Sequence, residues 1–302
     1  MGDTIFFRIL GTAAGGGLPQ WNCACPNCAA ARAGQLSPRL QAAAAFSPDG
    51  QTWYLVNATP DITAQLSATP ALHPKQLRQT PIRGVVLTDG ELDHVLGLVQ
   101  LREGAGWALY ATDSTSELLV GAFPALEIVG SYVADAAIIP LSLSEPHTFG
   151  EGDARVTMHV LETGTDLPRY AGTGERAGAV VALIFTTQRG KKLVYTPGVS
   201  HLGEALTKAL QDADIILFDG TLYTDDELPT LGIGQASAAD MGHIPMSGPA
   251  GSAAFLSALP AAVKRYVHIN NTNPALNERS AARAELRAQG LELAEDGWEV
   301  EL

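Results

Sequence analysis

The sequence predicts one layered α/β domain covering residues 1–302. Strand-like segments dominate the first half, strands and amphipathic helices alternate in the second, and no repeat, low-complexity tract or long linker divides the two. The opening Ile5-Phe6-Phe7-Arg8-Ile9-Leu10 reads as a strand and runs into the glycine-rich stretch Gly11–Gly17. Such a stretch either makes a flexible loop or lets the backbone approach a ligand closely. It lacks the lysine and the glycine spacing of a phosphate-binding loop.

A hairpin follows, with Ala43–Ser47 and Thr52–Val56 flanking Pro48-Asp49-Gly50. Ile82–Thr88 is a short buried strand, because Val85-Val86-Leu87 is apolar throughout. Helical spacing at Val95, Leu98, Val99 and Arg102 comes next. Ala179–Thr186 and Lys192–Thr196 form a second hairpin around Gln188-Arg189-Gly190. Leu202, Ala205, Leu206, Ala209 and Leu210 mark a helix, and Ile215–Phe218 a buried strand. Helices over Ser252–Leu259 and Ser280–Gln289, a strand at Arg265–Ile269 and a terminal strand complete the pattern.

Composition narrows the function. The chain is 46% hydrophobic, enough for a large core, and its net charge of −13 repels phosphate backbones, which argues against nucleic acid as a general partner. No apolar run reaches the length of a membrane span, so no membrane insertion and a cytoplasmic location are expected.

All three cysteines fall in Cys23-Ala24-Cys25-Pro26-Asn27-Cys28. An odd, clustered set suits a metal better than a disulfide framework. Thiolates at this spacing converge on one ion, and zinc (Zn2+) favours them in a structural site with four ligands, the fourth coming from elsewhere. The Cys25-x-x-Cys28 pair also fits a redox role, although no thioredoxin-like unit surrounds it. Trp21 and Asn22 are expected to pack beside this loop.

The chemically richest stretch is Leu87-Thr88-Asp89-Gly90-Glu91-Leu92-Asp93-His94. A buried strand delivers Asp89, Glu91, Asp93 and His94 at its C-terminal end. Adjacent carboxylates repel unless a cation or proton offsets them; the alternative is a solvated acidic helix cap. Asp219 ends the strand Ile215–Phe218, the usual place for a ligand or a carboxylate supporting one, and equally a cap position. His243 follows Met241-Gly242 and is read as a proton donor or substrate contact. His73, His147 and His201 are read as surface residues.

The stretch Leu87–His94 resembles the His-x-His-x-Asp-His motif of metallo-β-lactamases, with Asp89 and Glu91 replacing both leading histidines. His268 resembles that superfamily's last histidine ligand, and Asp61 its acidic residue after a strand. Four segments, Leu10–Cys23, Asn57–Asp61, Met241–Ile244 and His268–Pro274, together resemble the PqqB family of pyrroloquinoline quinone (PQQ) biosynthesis. The resemblance implies a metallo-β-lactamase-type αββα sandwich with its site at one edge of two sheets. It implies iron- and oxygen-dependent hydroxylation of the tyrosine ring in a cross-linked Glu–Tyr pair derived from the precursor peptide PqqA. The rival implication is a carrier that takes PQQ or its precursor toward the periplasm.

Departures from the superfamily pattern count against a third option, metal-dependent hydrolysis. Two motif histidines are carboxylates, and Thr196-Pro197-Gly198 lacks the acidic residue that bridges two ions. His159 lies near the middle-ligand position. Asp93, His94 and His268, with Glu91 as a further candidate, suit a single iron(II) (Fe2+) with open positions. A phosphodiesterase family of the same fold, with a similar cysteine loop, carries a second histidine three residues after its last one. Asn271 stands at that offset here and is the candidate fourth zinc ligand; the alternative is a turn-capping asparagine.

Overall fold

The computed structural model describes residues 4–103, 106–132 and 137–302. Among the described residues, fourteen strands form two seven-stranded sheets. The first contains β1 (Phe6–Gly11), β2 (Ala43–Ser47), β3 (Trp53–Val56), β4 (Ile82–Val86), β5 (Ala108–Ala111), β6 (Ile138–Pro140) and β14 (Glu299–Glu301), in the order β14-β1-β2-β3-β4-β5-β6. The second contains β7 (His147–Glu151), β8 (Ala154–Asp166), β9 (Glu175–Thr187), β10 (Lys192–Thr196), β11 (Ile215–Asp219), β12 (Val263–Val267) and β13 (Glu292–Leu293), in the order β13-β12-β11-β10-β9-β8-β7.

Three apolar clusters define four layers. The middle one joins the sheets through Phe7, Phe46, Phe149, Met158, Phe185 and Leu217. One outer cluster packs helices such as Ile62–Ser67 and Asp113–Val120 on the first sheet; the other packs Glu204–Gln211, Ser252–Ser257 and Ala281–Ala288 on the second. Cys28 belongs to this last cluster, so the cysteine loop rests on the core. The result is the αββα sandwich.

Both expected hairpins form: β2 pairs antiparallel with β3, and β9 with β10. Strands β3, β4, β5 and β6 run parallel to one another, as do β10, β11, β12 and β13. The C-terminal ends of parallel strands leave their loops at one edge, where α/β folds place ligands.

Three features differ from the sequence reading. The helix expected at Val95–Arg102 is a short α-turn, Leu92–Val95, continued as a 3-10 helix, Leu96–Glu103. Ala58 N–H donates to the His94 carbonyl at 2.7 Å and Gly97 N–H to the Ala58 carbonyl at 2.8 Å, which draws both groups out of an α-helical ladder. A Cβ on Gly97 would lie 2.2 Å from the Thr59 carbonyl oxygen, so only glycine permits this contact. His147 is half-buried, its ring centroid 4.7 Å from Phe149 and 5.0 Å from Tyr110. Trp21 stands 87% exposed instead of packing on the cysteine loop.

Phe46 is fully buried between the sheets and touches the rings of Tyr54, Phe149 and Phe185 at 4.7–5.3 Å. Phe46→Ala is expected to lower unfolding free energy by about 3–5 kcal/mol in urea titration, from lost transfer energy plus the cavity.

Candidate metal centres

The pocket is assembled from the ends of β4, β11 and β12. Asn57, at φ 65° just after β3, locks the end of β4: its Oδ1 accepts from Thr88 N–H at 3.0 Å and its Nδ2 donates to Thr88 Oγ1 at 2.9 Å. Thr88 Oγ1 in turn donates to Asp89 Oδ2 at 2.8 Å, and Glu91 N–H to Asp89 Oδ1 at 2.9 Å. Asp89 therefore faces His94, with Nδ1 2.7 and 2.8 Å from its two oxygens. Both oxygens being engaged, Asp89 stands behind His94 and does not itself face a cofactor, although the carboxylates Asp89, Glu91 and Asp219 suggest cofactor contacts from sequence. The carboxylate fixes the ring and leaves Nε2 toward the pocket.

His94 Nε2 is buried and has no hydrogen-bond partner among the described residues; Asp93 Oδ2 is 4.0 Å away. His268 Nε2 lies 3.3 Å from that same oxygen, and the ligand atoms of Asp93, His94 and His268 all fall within 4.8 Å of one another. Thr221 Oγ1, 2.8 Å from His268 Nδ1, orients this second ring. Asp219 is fully buried; it accepts from Val199 N–H, Thr221 N–H and Thr221 Oγ1, and pairs with His243 Nδ1 at 2.6 Å. The His243 ring stacks on His268, with centroids 5.4 Å apart. Asp219, His243 and His268 form a second close group that shares His268 with the first.

Electrostatics follow this geometry. Burial works to lower the pKa of His94, but Asp89 and Asp93 outweigh it and push it up to about 9. Burial works to raise Asp93, and the His94 and His268 rings hold it well below the usual carboxylate range. His243 is raised in the same way by Asp219 against burial. Glu91 sits at the exposed mouth, where crowding by the protein and the charges of Asp89 and Asp93 push its carboxyl up to about 7. Without a cation, the buried carboxylates favour protons on His94 and His243.

The cysteine loop forms a second centre. Cys25 caps the helix Pro26–Arg32 by accepting from Cys28 N–H, and the three Sγ atoms lie within 4.8 Å of one another. The side-chain amide of Asn271 points among them, 3.2, 3.5 and 3.3 Å from the sulfurs of Cys23, Cys25 and Cys28. Amide nitrogen and oxygen are near-isosteric, so a flip presents Oδ1 to an ion there. Burial pushes the Cys28 thiol up to about 11, a proton that a bound metal displaces.

The matching family domain is the β-lactamase superfamily domain, over residues 52–269. The chain is 42% identical to coenzyme PQQ synthesis protein B of Methylobacterium sp. (strain 4-46), covering 97% of this chain and 99% of that one. It is 40% identical to the same protein of Klebsiella pneumoniae (strain 342), over 99% and 98%. The chain belongs to the coenzyme PQQ synthesis protein B family. A crystal structure of Zn2+-bound PqqB from Methylobacterium extorquens superposes with a TM-score of 0.89 at 38% identity, covering 98% of this chain and all of that one. A diphosphatase of the PhnP family shares the fold at 20% identity and TM-score 0.66, over 100% and 98%. Family membership places the chain among the proteins of PQQ synthesis.

Of the residues singled out from sequence, Asp93, His94, His268, His243 and Asp219 meet at one pocket, and Cys23, Cys25, Cys28 and Asn271 at one loop. Asp61 accepts from the backbone and side-chain amides of Gln41, whose Oε1 accepts from Gly16 N–H, so it braces the glycine loop and is not among the close ligand groups. His159 is exposed on β8. Sequence reasoning missed Thr221, Thr88 and Asn57, which aim the pocket residues. The run Asp219-Gly220-Thr221 after a buried strand was the available signal. Gly15 gives the glycine stretch a purpose, since a Cβ there would press on Asp93 Oδ2 at 3.3 Å.

A histidine whose folded pKa exceeds its unfolded value near 6.5 stabilises the protein below that value, and the contribution is lost as pH rises through the folded value. Metal-free protein is therefore expected to lose thermal stability between about pH 7 and pH 10 as His94 gives up its proton. Asp89→Asn should flatten that profile in pH-dependent melting curves.

Proposed function

We propose that the chain hydroxylates the tyrosine ring of the cross-linked Glu–Tyr precursor of PQQ, using one iron(II) held by Asp93, His94 and His268. The orphaned Nε2 of buried His94 carries this reading. A fixed, unshared lone pair beside a second imidazole and a carboxylate is a donor set for a transition metal with open positions. Iron held there would supply dioxygen activation: one oxygen atom would go to the ring, and the other would be reduced to water with two electrons from an external reductant and two protons from solvent.

The chain's own residues supply the rest. Asp89 and Thr221 hold the two imidazoles in register. His243, paired with Asp219, can donate or accept a proton at the ring near neutral pH. A cleft of about 650 Å³ runs beside the cysteine loop and includes Gly15, which abuts Asp93, so it reaches the pocket edge and offers room for a substrate. The three thiols with Asn271 suit a structural zinc. Carboxylates Asp89 and Glu91 in place of two motif histidines, and no acidic bridge at Thr196–Gly198, disfavour a two-ion hydrolytic site.

The test is anaerobic iron loading, then oxygen and ascorbate, with mass spectrometry of a cross-linked Glu–Tyr peptide. Wild type should add one oxygen atom. His94→Ala and His268→Ala should abolish the addition while zinc stays near wild type, and His243→Ala should slow it with iron affinity little changed. Turnover surviving in both metal-site variants would sink the proposal. Quinone binding without any turnover would favour the carrier. In the cysteine site, Asn271→His should tighten zinc in competition titrations with a chelator, because imidazole is the better ligand.

A further inference from the structure

The segment that carries His268 into the pocket also forms a wall of the cysteine site. His268 sits at φ 56°, a left-handed conformation that a histidine keeps only where its surroundings fix it. The chain beyond it is fixed residue by residue. Ile269 N–H donates to the Thr12 carbonyl at 2.8 Å, and its own carbonyl accepts from Ala14 N–H at 2.9 Å. Asn270 N–H donates to the Thr221 carbonyl at 2.9 Å. The next hold comes from the thiol loop itself. Asn27 Nδ2 donates to the carbonyls of Asn271 at 3.0 Å and Asn273 at 2.9 Å, and the Cys25 thiol lies 3.5 Å from the Asn271 carbonyl. Asn27 is buried and lies between Cys25 and Cys28, on the helix that Cys25 caps.

We infer that the cysteine site sets the metal affinity of the pocket, with Asn27 and Asn271 as the positioning residues that link them. A metal on the three sulfurs orders the loop and the Asn271 amide. Asn27 then clamps the 271–273 backbone, and the clamp holds His268 in its left-handed conformation with Nε2 facing Asp93 at 3.3 Å. Release of the clamp lets His268 relax toward an ordinary backbone conformation and turns its ring away from the pocket. The inference rests on the reading that His268 helps to hold the pocket metal, and it deepens that reading by making the thiol loop a control point.

The experiment uses the full chain and reads binding instead of turnover. Asn27→Asp keeps the size and removes both donated hydrogen bonds; Asn27→Gln restores a donor on a longer arm. Zinc content is measured by elemental analysis, iron(II) affinity by anaerobic calorimetry, and the His268 imidazole by nitrogen chemical shift in labelled protein. Asn27→Asp should keep its zinc, weaken iron(II) about 10-fold or more, as loss of a ligand-orienting contact does, and shift the His268 signal. Asn27→Gln should recover part of the affinity, and zinc-stripped wild type should match Asn27→Asp. Unchanged iron(II) affinity and an unchanged His268 signal, either in Asn27→Asp or in zinc-stripped wild type, overturn the coupling. If Asn27→Asp fails to fold, the zinc-stripped wild type decides. If wild type binds no iron(II), the proposed function falls instead, and the response of the His268 signal to zinc removal still decides the coupling.

Discussion

Two fully desolvated carboxylates, Asp89 and Asp219, set the terms for the rest of the site. A buried carboxylate is tolerable only when its oxygens are hydrogen-bonded or paired with a cation. Each is satisfied in the same way, by a backbone N–H, a neighbouring threonine hydroxyl and a histidine Nδ1. The two histidines are thereby held by nitrogens that face the protein, with their other edge turned away from the carboxylate. The buried charge and the ring orientation are one constraint, and the threonines at the strand ends belong to it.

That arrangement explains how a metallo-β-lactamase scaffold accommodates the loss of two motif histidines. Asp89 stands at a former ligand position and holds a remaining ligand. Glu91 is turned out to the mouth, beside Tyr170, whose hydroxyl donates to the Gly90 carbonyl at 2.6 Å. What is left at the centre is Asp93, His94 and His268, a smaller donor set on the same strand ends. The glycine at position 15 lets the first loop close over this set without a side chain to displace Asp93.

The second centre is bound into the same framework. The cysteine loop packs on the core through Cys28, while its helix, through Asn27, grips the segment that follows β12. Glu227 grips that segment from the other side, accepting from Thr272 Oγ1 at 2.5 Å and from Tyr223 N–H at 2.7 Å. Residues 268–273 are therefore held by the glycine loop, the thiol loop and the helix Glu227–Leu231 at once. A backbone so constrained can keep an unfavourable φ at a functional histidine.

The sequence by itself determined the layer pattern, both hairpins, the clustered thiols and the stretch Asp89–His94, because each is a local signal in period, turn chemistry or spacing. It also determined the family, through segments long enough to be distinctive. It left the helix after His94 misjudged, since Gly97 breaks the ladder only where Ala58 from another strand end meets it. It gave Trp21 a packing role that the fold withholds, and it could not tell that Asp89 faces a histidine. Those outcomes depend on which backbone arrives opposite, and the arrival is decided by sheet order. Strands β4, β11 and β12 are far apart in sequence, and only their parallel pairing within two packed sheets brings Asp93, Asp219, Thr221 and His268 to one edge.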